Sequence, residues 1–238
     1  MVDKVKTGIK GFDKLVQGGI PKGKNILLSG TPGTGKTIFA LQYVYNGATK
    51  YNEKGLFVSF EENAEGLRNQ AIQFGWNLNE LEKTGKLKLL EIPVKEIKET
   101  TARDIIRLVK EEGYKRVVID SLSALAINTP TTYSKITDIT EISIKRYMYG
   151  FINELKNLNE ATILLISQTT GDQLSRDTVS EFICDGIILI TYETMGGKYS
   201  RSLSIRKMRE VKNDEDVHPL EIMNKGIVIH DLEEFTSA

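Results

Sequence analysis

The sequence predicts an α/β fold built on a mostly parallel sheet with helices on both faces and a small C-terminal β hairpin. Two observations lead there. Short, continuously apolar runs alternate with segments of helical period, the pattern of strands buried on both faces. Between the first such strand and the helix after it lies GTPGTGKT, Gly30 to Thr37, which matches the phosphate-binding pattern of glycine, four free positions, glycine, lysine and a hydroxyl residue.

Thr7 to Gly23 is too rich in glycine for a long helix and reads as a segment folded over the main domain. Asn25 to Ser29 forms a short buried strand. The loop follows, and Ile38, Leu41, Tyr45 and Ala48 mark one face of a helix from Lys36 to about Lys50. The binding loop is Gly30, Thr31, Pro32, Gly33, Thr34 and Gly35, whose glycines let backbone amides turn toward a polyphosphate at the positive end of that helix. Lys36 reaches the terminal phosphates, and Thr37 places its hydroxyl on a magnesium ion.

Gly55 to Phe60 is the second strand and ends on Glu61 and Glu62. Ala64 to Phe74 reads as helix, Lys86 to Ile92 as strand, and Thr101 with Asp104 has capping-box spacing before a helix through Lys110. Arg116 to Asp120 is a strand running into an aspartate, and Ser121 to Ile127 continues apolar. Asn128 to Ser134 has loop composition. From Ile136 to Leu158, Ile144, Met148, Phe151, Leu155 and Leu158 form a packing stripe. Ala161 to Gln168 is another buried strand. Asp185 to Tyr192 and Arg201 to Met208 are strands separated by the turn Met195 to Ser200, and HPLEI with GIVIH makes the closing hairpin.

The chain has 238 residues, with 32 basic against 32 acidic side chains and one cysteine. One domain spanning residues 1–238 is expected. Neutral balance offers no sequence-wide attraction to nucleic acid or an anionic surface. Cys184, within an apolar run, is read as a buried structural thiol. No stretch has the length of a membrane span, and the start lacks a signal-peptide layout, so a cytoplasmic location is expected.

Nucleotide hydrolysis needs a phosphate cradle, a hard cation, a group orienting water and positive charge at the transition state. Asp120, at the carboxyl end of a buried strand, can hold magnesium through water, or can cap the following segment. Glu61 and Glu62 open toward the same crevice, one as general base and the other orienting; a solvated acidic loop is the alternative. Gln168 can sense a terminal phosphate or be a satisfied strand-end residue. Lys207 and Arg209, two apart in an outer strand, share a face if the strand persists. There they serve a neighbouring subunit's nucleotide, or stand as solvated residues on an edge.

TGIKGFDKLVQGGIPKG, LLSGTPGTGKT, GLFVSFEE, VVIDSLSAL and IRKMR, in this order, resemble a single ATPase domain of the KaiC-like branch of the RecA superfamily, of the archaeal single-domain type. The likeness runs from about Thr7 to Ile229. It implies a RecA-like core, ATP with Mg2+, and a homo-oligomer, a hexameric ring with nucleotide at subunit interfaces. It also implies that Glu61 and Glu62 match the paired catalytic carboxylates, and that Lys207 and Arg209 match the basic pair contacting the adjacent subunit's ATP. Family members continue the KMR strand with glycine and threonine, whereas Glu210 and Val211 stand here. The clock protein carries two such domains, and no phosphosite pair aligns here; Thr137, Thr140 and Ser143 are explained by a helix start. The expected function is a slow, ring-forming ATPase acting as a regulator, with a protein partner the sequence does not name. The alternatives are a DNA-binding ATPase of RecA type and a nucleotide-gated scaffold with little hydrolysis. The first is disfavoured because the relevant loops carry little beyond Lys135 and Arg176.

Overall fold

In the computed structural model, residues 2–129, 141–169, 173–192 and 200–231 are described. The expectations for the loop after Thr129, the helix start at 136–140 with Thr137 and Thr140, Lys135, and the turn at 195–199 lie outside the described residues.

The chain opens with β1 (Lys4–Val5), α1 (Phe12–Leu15) and β2 (Ile20–Pro21), β1 and β2 pairing antiparallel. Asp13 holds this segment in shape, accepting from the Thr7 amide and hydroxyl and from the Gly8 amide at 2.8–3.0 Å. Then come β3 (Asn25–Gly30), α2 (Lys36–Lys50), β4 (Gly55–Ser59), α3 (Ala64–Ile72), α4 (Leu78–Lys83), β5 (Leu87–Glu91) and α5 (Thr101–Glu112). β6 (Arg116–Asp120), α6 (Leu122–Ile127), α7 (Glu141–Leu155) and β7 (Thr162–Gln168) follow. The remainder is α8 (Ser180–Ile183), β8 (Gly186–Tyr192), β9 (Arg201–Met208), β10 (Val217–Met223) and β11 (Gly226–Ile229).

The sheet has nine strands in the order β11-β10-β9-β8-β3-β7-β6-β4-β5. From β8 to β5 neighbours are parallel; β9, β10 and β11 add antiparallel. Strand alternation divides the apolar residues between two cores. Ile26, Leu28, Leu164 and Ile166 face the layer made by the N-terminal segment and α2 to α4, whereas Leu27, Ile163 and Leu165 face α5 to α7. The C-terminal hairpin therefore continues the main sheet.

Three expectations are corrected in detail. Thr101 is the first residue inside α5, and its hydroxyl accepts from the Lys98 amide instead of capping the helix. The apolar run after Ser121 is the short helix α6, capped by the Ser121 side chain, which accepts from the Ala124 amide. β10 covers β9 only over Arg201 to Ser204, so Lys207 lies beyond that pairing on a stretch held by β8 alone. A bulge opposite Ile187 and Ile188 also interrupts β9, and the strand ends one residue before Arg209.

One buried charge ties the layers together. Arg116, fully buried at the start of β6, donates to Glu53 at 2.6 Å, to the Tyr43 carbonyl at 2.9 Å and to the Lys6 carbonyl at 2.7 Å. Its guanidinium lies 4.7 Å from the Tyr43 ring centre and 5.0 Å from that of Tyr51. Gly47 in α2 makes room for it, since a Cβ there would lie 2.3 Å from Arg116 Cδ.

Candidate nucleotide site

β3 delivers the loop to the carboxyl end of the parallel strands, where such sheets place their ligand crevice. Gly30 is confined by close approach: a Cβ there would meet the Ile190 carbonyl oxygen at 2.3 Å. Gly35, at φ 99°, turns the chain into α2 and packs on Ile222 of the C-terminal hairpin. Between them a Cβ on Gly33 would meet nothing within 4 Å, so this side of the loop is open.

Lys36 is buried, and its ammonium donates to the Gly30 carbonyl at 2.9 Å and the Thr31 carbonyl at 2.8 Å. Burial lowers its pKa, against the raising effect of Asp120 and Glu61. One residue on, the Thr37 hydroxyl donates to Asp120 Oδ2 at 2.9 Å. Asp120 is itself buried, and its carboxyl is pushed up to about 7, chiefly by burial and further by the Glu61 and Glu62 charges, while Thr37 and Lys36 pull it down. A hydroxyl beside a carboxylate that lacks full charge compensation is a donor set suited to a hard cation, and the residues present fit magnesium beside phosphate. The capping task on α6 falls to Ser121, which leaves the Asp120 side chain for the crevice.

The two glutamates differ. Glu61 accepts a hydrogen bond from the Ser121 hydroxyl and faces the Asp120 end of β6. Glu62 hangs its amide on Ser59 Oγ at 3.0 Å, and its carboxyl turns toward the first turn of α3, where a Cβ on Gly66 would meet Oε1 at 2.8 Å. Burial raises the Glu62 pKa. Gln168 pairs with Gly30 across β7 and β3, and its amide donates to Ser123 Oγ at 2.9 Å. Lys36, Thr37, Asp120, Glu61 and Gln168 thus gather at one end of the sheet.

Lys207 and Arg209 do not join them. Met208 pairs with Gly186, and Gly186 with Ile26 near the start of β3, whereas the loop begins four residues on at Gly30. At strand rise, that sets the pair about 13 Å back along the strands from their own phosphate cradle, and two strands to the side. Lys207 donates to the Cys184 carbonyl at 2.6 Å, and burial followed by the Arg209 charge lowers its pKa. Arg209 pairs with Asp185 at 3.2 Å. Cys184 is fully buried, and burial raises its thiol pKa. Glu210 lies at φ 67°, in the left-handed region glycine favours, and its carboxylate bonds Lys24 at 2.6 Å.

Two neighbours of the site were not singled out from the sequence. Arg201, at the loop end of β9, donates to the Gly33 carbonyl at 3.2 Å and stacks 4.8 Å from the Tyr192 ring centre. A basic residue opening a strand 168 positions downstream of Gly33 has no periodicity to mark it. Ser121 could have been noticed as the hydroxyl next to Asp120.

A strand, glycine loop and helix in this sheet order define a RecA-type phosphate-binding ATPase fold. The family model described as "ATPase: KaiC" matches residues 5–234. The chain is 35% identical to a UPF0273 protein of Aeropyrum pernix over 97% of its own length and 94% of the relative's. It is 34% identical to the circadian clock oscillator protein KaiC of Parathermosynechococcus lividus, covering 97% of this chain but 43% of that protein. The crystal structure of a KaiC-like protein from Pyrococcus horikoshii OT3 superimposes with a TM-score of 0.83 at 37% identity, covering 97% of this chain and all of that one. The chain belongs to the KaiC ATPase family.

Proposed function

We propose that this chain, acting as a single domain, binds ATP in the Gly30 to Thr37 loop and slowly hydrolyses it at the interfaces of a homo-oligomeric, hexameric ring, as a nucleotide-dependent regulator. The observation that carries this reading is the meeting of Thr37 and Asp120 at the mouth of a loop whose lysine is already drawn inward, with Glu61 beside them. Loop amides and Lys36 bind the phosphates, and Thr37 and Asp120 hold magnesium. When bound, the ion neutralises charge developing on the phosphoryl oxygens. Glu61, oriented by Ser121, and Glu62, raised in pKa, are the groups that position a water and accept its proton. Gln168 lies beside Gly30, where it can sense the terminal phosphate.

Lys207 and Arg209 are too far from their own loop to meet the phosphates it holds, which supports their serving a neighbour's. The test is ATP turnover with bound nucleotide measured alongside. Lys36→Ala abolishes turnover. The Glu61→Gln, Glu62→Gln double variant loses on the order of a hundredfold in kcat while still binding ATP. Unchanged turnover in both variants would sink the mechanism.

A further inference from the structure

Asp185 brackets two strands at the end of the sheet remote from the loop. Its amide donates to the Asn25 carbonyl at 2.8 Å, and its Oδ2 accepts from the Asn25 amide at 3.2 Å, fastening it to the first residue of β3. Its carbonyl accepts from the Arg209 amide at 2.9 Å, and its Oδ1 accepts from Arg209 Nη1 at 3.2 Å. The two carboxylate oxygens thus hold different partners. The Asp185 side chain is 14% exposed, whereas that of Arg209 is 50% exposed, so one corner of the guanidinium is anchored and the rest faces outward. The residues just before it hold Lys207, through the Cys184 carbonyl at 2.6 Å and the Glu181 carbonyl at 3.5 Å.

We infer that Asp185 is a positioning residue for Arg209, fixing the direction in which that guanidinium meets the nucleotide of an adjacent copy. The inference rests on the trans reading of Lys207 and Arg209 given above. A free arginine samples many rotamers, and a charge-assisted bond to a carboxylate fastened on two sides removes most of them before the neighbour arrives. Lys207 is organised by helix-end carbonyls and Arg209 by a carboxylate, so the pair is set from one short run, residues 181–185. Because the same carboxylate holds the start of β3, the strand carrying one copy's loop is also the base on which its basic pair stands.

Homogeneous Asp185→Asn protein is expected to lose roughly tenfold or more in kcat with the KM for ATP little changed, since the loop that binds ATP is untouched. Mixed assemblies give the decisive readout. Lys36→Ala copies, which cannot use their own loop, are combined with Arg209→Ala copies, which lack the outward arginine; turnover returns only where the loop of the second meets the arginine of the first. Adding Asp185→Asn to the Lys36→Ala copies should lower that turnover as much as it does in the homogeneous protein. Adding it to the Arg209→Ala copies should cost nothing further. Equal losses from both placements, or none from either, overturn the role of Asp185 alone. Absence of turnover in the parent mixture overturns the trans reading, and the role of Asp185 with it.

Discussion

At the scale of single residues, Asp120 and Glu210 each occupy a place their chemistry resists. The Asp120 carboxyl moves from 3.8 to about 7 on folding, so the native state retains its proton where the unfolded chain releases it. For an acid raised in this way the sign is a loss: the cost is absent below about pH 4, grows up to about pH 7 and is complete above. Urea unfolding of magnesium-free protein between pH 5 and 8 should therefore show stability falling with pH from this group, and Asp120→Asn should flatten that slope. The same variant should lose the stabilisation that magnesium with nucleotide confers. Glu210 sits at φ 67°, in the left-handed region that glycine adopts without strain. Its exposed pair with Lys24 is worth little. Glu210→Gly should raise stability by up to about 1 kcal/mol, and Glu210→Val should lower it by a similar amount, read from denaturant midpoints.

At the scale of elements, α2 shows how a helix is shaped by what it covers. A glycine to alanine change inside a helix ordinarily gains about 1 kcal/mol. Gly47→Ala should instead cost about 1–3 kcal/mol, because the added methyl meets the Arg116 side chain at 2.3 Å. Thermal unfolding of this variant, and of Gly47→Ala with Arg116→Met, would separate the clash from the helix propensity. The same contact explains what could be read from the sequence. The loop and the span of α2 were legible because glycines, lysine and threonine act locally, and Asp120 was legible because an apolar strand led into it. Arg116 read as an ordinary strand opening, since its burial depends on Tyr43, Tyr51 and Glu53 arriving from elsewhere. The helix after Ser121 was missed because a short run, apolar but for Ser123, has no distinguishable period. The bulge in β9 was invisible for the same reason: register is a property of pairs of strands.

At the scale of the molecule, the sheet separates the phosphate cradle from the basic pair by most of a strand's length. That separation converts a sequence resemblance into an assembly argument, because the parts of the proposed reaction can meet only if copies stand head to tail, loop end against basic pair. Molar mass in solution should accordingly rise to a multiple of the chain mass with ATP and magnesium, and Arg209→Ala should weaken that dependence on nucleotide. A monomer turning over ATP at the rate of the assembled protein would remove the shared site. Among the described residues no helix is long and apolar enough to cross a membrane.

The seam between β11 and the first turns of the chain bears on biosynthesis. Lys10 bridges Val228, Gly11 lies so close to Ile229 that a Cβ would meet its carbonyl oxygen at 2.0 Å, and Gly226 lies under Trp76. During vectorial translation, Lys10 and Gly11 leave the ribosome long before the strand they abut. Until β11 arrives this side of the N-terminal segment stays open, which makes the nascent polypeptide a natural client for a holding chaperone. The lone indole, quenched or shifted as β11 settles against it, would report the moment the seam closes.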